Sequence, residues 1–283
     1  MTKFIAEISS NHNSSLSRCK KLIDEAKRVG CYAVKFQVFK INKLFHNDIL
    51  KKSEPHRKMK KWELPENYVP LLSKYSKKKK IKFSITPFYL EAVNKYKNYV
   101  DFFKIGSYEI LRKDLLKKLA KTKKKIILST GMANEDEVKD AIKLLKKNGC
   151  KNLVLLHCVS QYPAEVTNCN LESIKYLSKK FNLDIGWSDH TNNTLLVFHA
   201  IEKYQAKYVE LHFDLDDKKG YESAIGHCWK SSDVFELINF LQNKKKIEGQ
   251  YLKKPNKKEL NERKWRADPK DGLRPLFITR KKF

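Results

Sequence analysis

Two short stretches, GWSDHT (186–191) and VELHFD (209–214), each bring an apolar run to an end on a histidine beside an aspartate. Imidazole is the side chain best suited to moving protons near neutrality or to giving a neutral nitrogen to a cation. If the two stretches are neighbouring parallel strands, they lie about 4.8 Å apart. His190 and His212 then stand at matching heights and can hold one divalent cation, with open positions left for substrate and water. Strand alternation puts Ser188 on the face of His190 and Glu210 on the face of His212. A lone histidine at a strand end is more often a hydrogen-bonded residue than a ligand, so it is the matched pair that carries the metal reading.

Other polar residues fall at equivalent places. In YAVKFQV (32–38), Lys35 and Gln37 share the face opposite Val34, Phe36 and Val38. A lysine inside an apolar strand is costly unless it meets an anion. Thr86 closes the next apolar run, and Lys104 lies in the one after it, followed by Ser107 and Glu109. Ser129, Thr130 and Gly131 end a fifth run, and Cys158, Ser160 and Tyr162 end a sixth. Taken singly, a serine or threonine there is usually a helix cap. Lysines from two strands and hydroxyls from three more make a ring of donors suited to phosphate.

A repeated unit must position these residues. Apolar segments at 3–9, 32–38, 81–87, 102–107, 125–130, 153–159, 183–189 and 208–214 read as strands. The stretches between them have helical periodicity. The clearest is NEDEVKDAIKLLKKNG, with Asn134 as N-cap, acids in the first turn, a stripe of Val138, Ala141, Ile142 and Leu145, and Gly149 after the last lysines. Eight strands alternating with helices predict an α/β protein, a (β/α)₈ TIM barrel, whose chemistry collects at the carboxyl ends of its strands. An open doubly wound sheet is the competing architecture, but SSNHNSS after the first strand has no glycine for a nucleotide fingerprint. The expected domains are a barrel over 1–248 and a C-terminal arm over 249–283 that is not a separate domain. The segment 40–64 is too long for a turn and reads as an excursion over the strand ends.

The chain has 283 residues, 60 Lys+Arg against 32 Asp+Glu and a formal charge of +28. Most of the excess sits in runs such as KKKK (77–80) beside predicted helices. A solvated surface is the plainer reading, and it still attracts small anions. No arginine-rich or aromatic-interleaved stretch supports a nucleic-acid partner. Six scattered cysteines form no CxxC, and no apolar stretch is long enough to span a bilayer. A cytoplasmic protein with reduced thiols is the expectation, with no membrane partner.

In order along the chain, FIAEISSNHN, AVKFQVFK, SITPF, FKIGSYEI, IILSTGM, LLHCVSQYP, GWSDHT and ELHFDLD resemble the motifs of the N-acetylneuraminate synthase (sialic acid synthase) family. The resemblance covers residues 3–245. It implies condensation of phosphoenolpyruvate with an N-acetylated hexosamine aldehyde, such as N-acetylmannosamine, to a nine-carbon 2-keto-3-deoxy sugar acid with release of phosphate. By resemblance, Lys35, Thr86, Lys104, Ser107, Ser129 and Ser188 bind phosphoenolpyruvate, and Ser160 stands where the family has asparagine. His190 and His212 hold Mn²⁺ or Mg²⁺, and Gln37, Glu109 and Tyr162 face the sugar. Glu109 is the first candidate for proton transfer and Glu7 the second, with His190 counted among the catalytic groups through its metal. Small molecules are the implied partners, and a homodimer is an allowed assembly.

Three departures stand out. GYESAIGHCW (220–229) replaces the family's GPDH, with Glu222 in place of its aspartate and His227 without an assigned role. SSNHNSS replaces a glycine-containing GVNHNG. The arm holds Arg266 and Arg274 where the family has an antifreeze-like domain that contributes an arginine. A second enzyme reading is a Schiff-base aldolase with Lys104 as nucleophile.

Overall fold

A computed structural model describes residues 2–282. The chain divides into two compact units, Met1–Leu241 and Gln242–Phe283. In the first, β1 (Lys3–Ser9), β2 (Ala33–Val38), β3 (Lys82–Pro87), β4 (Phe102–Ile105), β5 (Lys125–Ser129), β6 (Leu153–Cys158), β7 (Asp184–Asp189) and β8 (Tyr208–Asp214) pair in sequence order. All are parallel, and β1 also pairs with β8, so the sheet closes into the expected (β/α)₈ barrel. The expected strands agree with these to within a residue or two at their ends. The residue pairs Glu7–Lys35, Glu7–His212 and Ser188–Glu210 are in direct register across neighbouring strands.

The connecting helices are α1 (Leu16–Arg28), α2 (Ile41–Leu44), α3 (Asn47–Lys52), α4 (Glu54–Lys58), α5 (Tyr68–Lys78), α6 (Leu90–Tyr96), α7 (Lys113–Ala120), α8 (Glu135–Lys147), α9 (Glu172–Phe181), α10 (Thr194–Glu202) and α11 (Ser231–Glu248). Helix α8 shows why they form. The Asn134 side chain accepts from Glu137 N at 2.9 Å and Glu137 returns the bond to Asn134 N, a complete capping box. Val138, Ala141, Ile142 and Leu145 are its buried stripe. Each of the larger ones contributes roughly 1.5–3 kcal/mol by leaving water. Gly149 ends the turn at φ +103°, a conformation that favours glycine.

Strand alternation separates two cores. Outward residues such as Phe36, Phe83, Phe103, Trp187 and Phe213 pack under the helices. Inward residues start apolar at the amino ends of the strands, where Ile5, Ala33, Phe102, Ile127, Val154, Leu156 and Tyr208 fill the barrel. Two residues further along each strand the interior changes to Glu7, Lys35, Lys104, Ser129, Ser188 and Glu210, all buried. One more step brings Gln37, Cys158, His190 and His212. Each step is about 6.6 Å along a strand.

Two features were not legible in the pattern. A ninth strand, β9 (Trp229–Lys230), pairs with the end of β8 through Phe213 and Asp214. The 40–64 excursion forms three short helices, α2 to α4, and a 3₁₀ turn over Met59–Trp62. It is tied to the rim: Ser14 Oγ donates to Lys61 O at 3.0 Å, and the Lys61 ammonium sits 5.2 Å from the Tyr221 ring centroid. In the second unit, α12 (Glu259–Glu262) and α13 (Phe277–Arg280) flank a turn in which Asp268 accepts from Lys270 N at 3.0 Å and Phe277 N at 2.6 Å. Arg266, within that unit, donates to Arg263 O at 3.0 Å.

Candidate active site

The lower polar tier is a buried charge cluster. Lys35 forms an ion pair with Glu7 and lies 3.7 Å from Glu210 Oε1, while Lys104 reaches the same oxygen at 3.6 Å. Lys35 Nζ also donates to Thr86 Oγ1 at 3.0 Å, and Lys104 Nζ to Ser129 Oγ at 2.6 Å. Ser188 Oγ donates to Glu210 Oε1 at 3.3 Å, drawing β7 into the cluster. Burial lowers the Lys35 ammonium to about 7, against the field of Glu210 that opposes it. Two acids thus face two lysines, and removing one member of such a buried set typically costs about 3–5 kcal/mol. A ligand with its own negative charges can take over the two lysines.

Above it stand the histidines. The His190 and His212 ring centroids are 5.4 Å apart, and the Tyr162 ring lies 4.2 Å from that of His190. His190 Nδ1 donates to Val159 O at 2.6 Å and His212 Nδ1 to Glu222 Oε2 at 2.9 Å. Each ring therefore presents Nε2 with its lone pair. Burial pushes His190 down to about 3, and burial also lowers His212, so both rings are neutral. Two imidazoles ligating one ion at about 2.1 Å have centroids roughly 4.5–5.5 Å apart, so the pair fits a divalent cation. Burial alone would raise the Glu222 carboxyl, but bonds from His212, His227 and Ser9 hold it well below the usual range. Ser10 Oγ adds a bond to it at 2.7 Å. Glu222 thus stands behind His212 and orients it.

A third group surrounds Gly131. Its N–H donates to Ser107 Oγ at 3.1 Å, and Cys158 Sγ lies 3.2 Å from the same hydroxyl. A Cβ on Gly131 would come within 2.4 Å of Ser160 Oγ, a buried hydroxyl with no partner, so only glycine lets these groups crowd together. Glu109, on the 3₁₀ turn Ser107–Glu109 after β4, is buried and its Oε2 is unpartnered. Burial pushes its carboxyl up to about 7, with Lys104 and Arg112 opposing. Its charged form is the one that folding disfavours. Between about 4.5 and 7 the folded chain holds a proton the unfolded chain has lost, so this site's contribution to stability falls as pH rises through that window. Glu109→Gln should therefore melt later than the parent at pH 8, by up to about 3 kcal/mol of stability, with the gain vanishing near pH 4.5. A pH series of thermal melts checks this.

Loops hold the tiers in place. Asn11 Nδ2 donates to Phe213 O at 3.1 Å, and its Oδ1 accepts from Glu222 N at 2.9 Å, so the loop after β1 fixes the loop after β8. Asp214 accepts from Gly220 N at 2.8 Å and pairs with Arg18. A Cβ on Gly220 would lie 2.3 Å from Asn11 Oδ1. Gly220→Ala should destabilise the chain by about 1–3 kcal/mol and weaken cation binding at least several-fold, readable by calorimetry. Asp189 accepts from Trp187 Nε1 at 3.0 Å and from Trp229 Nε1 at 2.9 Å, which pins β7 and β9 beside His190.

The structure gathers Glu7, Lys35, Thr86, Lys104, Ser129 and Ser188 into the lower tier. His190, His212, Tyr162 and Glu222 form the upper one. Ser107, Glu109 and Ser160 belong to the loops after β4 and β6. Gln37 is half-buried, in register with Thr86. Sequence reasoning did not assign roles to Glu210, which bridges both lysines, or to Ser9 and Ser10, which hold Glu222. Glu210 had a signal in its place two residues before His212. Among the described residues, His212, Glu222, His227 and Cys228 form a cluster able to hold a metal ion.

The chain is similar to known proteins to measured degrees. The NeuB family matches residues 22–253. The N,N'-diacetyllegionaminic acid synthase of Campylobacter jejuni is 37% identical over 278 residues, covering 91% of this chain and 80% of that protein. The pseudaminic acid synthase of the same species is 33% identical over 245 residues, covering 83% and 71%. The crystal structure of N-acetylneuraminic acid (sialic acid) synthetase from Leptospira borgpetersenii, in complex with citrate, aligns with a TM-score of 0.78 at 28% identity, covering 95% of this chain and 93% of that one. With its closed barrel and eight motifs in order, the chain is an enzyme that belongs to the NeuB family.

Proposed function

We propose that the protein condenses phosphoenolpyruvate with an N-acetylated hexosamine aldehyde, N-acetylmannosamine or a related sugar, to a nine-carbon 2-keto-3-deoxy acid and phosphate. One observation carries the reading. Two buried lysines from β2 and β4, each bonded to a hydroxyl, lie one strand step below two neutral imidazoles. Lys35 and Lys104 meet the phosphate and carboxylate charges, and Thr86, Ser107, Ser129, Ser160 and Ser188 add donors around them. Gln37 and Tyr162 face the sugar. Glu109, held near neutrality in its proton affinity, moves a proton between acceptor and water, with Glu7 as the second candidate. The carbon–carbon bond forms between C3 of phosphoenolpyruvate and the aldehyde carbon, water adds at C2, and phosphate leaves.

His190 and His212 would hold Mn²⁺ or Mg²⁺, which when bound supplies Lewis-acid polarisation of the aldehyde. The substrates are small molecules and the reading places the enzyme in the cytoplasm. No helix among the described residues is long and apolar enough to cross a membrane. The Schiff-base alternative is not favoured, because the similar proteins carry the names of sugar-acid synthases. The test is phosphate release with phosphoenolpyruvate, Mn²⁺ and a panel of N-acetylated and diacetamido hexoses. Release with at least one sugar supports the proposal. None with any sugar, or a lysine adduct after borohydride with pyruvate, overturns it.

A further inference from the structure

The condensation reading leaves two side chains of the loop after β8 unused. His227 is buried at 2% exposure, and its Nδ1 has no partner. Its Nε2 lies 3.2 Å from His212 Nδ1 and 3.6 Å from Glu222 Oε2, and those two atoms are 2.9 Å apart. Cys228 completes a set of four donors lying within 4.8 Å of one another. Ligand atoms bound at about 2.0–2.1 Å to a tetrahedral ion stand about 3.3 Å apart. The triangle of 2.9, 3.2 and 3.6 Å is therefore close to one face of such a tetrahedron.

We propose that His212 Nδ1, Glu222 Oε2 and His227 Nε2, with Cys228 Sγ as the fourth donor, form a second cation position of zinc type. It lies at the edge of the His212 ring opposite the nitrogen used in the proposed reaction. The inference rests on that reading only through the shared ring. Two nitrogens, one oxygen and one sulfur select zinc or cobalt over manganese or magnesium. Asn11 Nδ2, 3.4 Å from Cys228 Sγ, is a donor for the thiolate that binding would create.

The two positions exclude each other. A cation at Nδ1 displaces the proton that His212 donates to Glu222. The neutral ring then carries its proton on Nε2, where the lone pair for the other cation was. Zinc is thus an antagonist of manganese without occupying its place.

The test uses the full chain stripped of metal. Cobalt(II) should give the intense visible bands of tetrahedral coordination and a thiolate charge-transfer band, and Cys228→Ser should abolish only the latter. His227→Ala should weaken zinc, measured against a chromophoric chelator, by about tenfold or more, and leave manganese affinity by electron paramagnetic resonance within about twofold. Zinc should displace manganese from the parent at a concentration at least several-fold lower than the one needed for His227→Ala. A pale octahedral cobalt spectrum from the parent, or unchanged zinc affinity in both variants, overturns the proposal. Should manganese not bind at all while the cobalt bands are present, the condensation reading fails and this one stands.

Discussion

A His212→Ala chain should fold and bind phosphoenolpyruvate, and should release phosphate at a rate lowered on the order of 10³-fold or more, about 4 kcal/mol of transition-state stabilisation. The expectation follows from three placements. His212 is in register with Glu7, it is neutral, and its Nδ1 is held by Glu222. Removing the ring takes away one of the two nitrogens facing the upper tier and leaves the Glu222 carboxylate with Ser9, Ser10 and His227. Those remaining donors keep the loop satisfied, so the fold persists. The measurement is steady-state phosphate release beside manganese binding and a thermal melt. Full turnover of the parent in excess chelator would sink the metal assignment, and full turnover of the variant would sink the role of the ring.

Lys104→Ala should lower phosphoenolpyruvate affinity at least about 100-fold, close to 3 kcal/mol. Lys104 is buried and has three contacts: Ser129 Oγ at 2.6 Å, Ile105 O at 3.1 Å and Glu210 Oε1 at 3.6 Å. Once it is gone, Glu210 keeps only Lys35 as a cationic partner and the pocket carries surplus negative charge. An incoming dianion then meets repulsion in place of a waiting ammonium. Titration calorimetry reads the affinity directly, and an unchanged dissociation constant would contradict the assignment. A companion Lys104→Ala/Glu210→Ala double variant separates the two parts: it restores stability by removing the orphaned carboxylate but not the affinity.

The barrel was legible because its interior obeys a period of two. In β2 the alternation of Val34, Phe36 and Val38 with Lys35 and Gln37 gave both the strand and the face turned into the barrel. The helices followed from caps such as Asn134 and stripes such as Val138 to Leu145. The surroundings of His212 were harder to see. Ser9 and Ser10 come from the turn after β1 and Glu222 from a loop after β8, and neither segment has a period to read. They meet only because β1 and β8 are neighbours across the closure of the barrel. Glu210 had no role assigned to it for a related reason. Its acid is one polar residue among others until β2 and β4 bring Lys35 and Lys104 to it from across the interior. β9 is two residues long, below the length at which alternation means anything, and it exists because Trp229 reaches Asp189.

The apolar plug of Ile5, Ala33, Phe102, Ile127, Val154, Leu156 and Tyr208 fills the barrel beneath the two lysines. On the proposed reading, a guest held by the lysines lies deeper than one held by the imidazoles, which stand one strand step nearer the carboxyl ends. The two substrates would then load in turn, the deeper before the shallower, and leave in the reverse order.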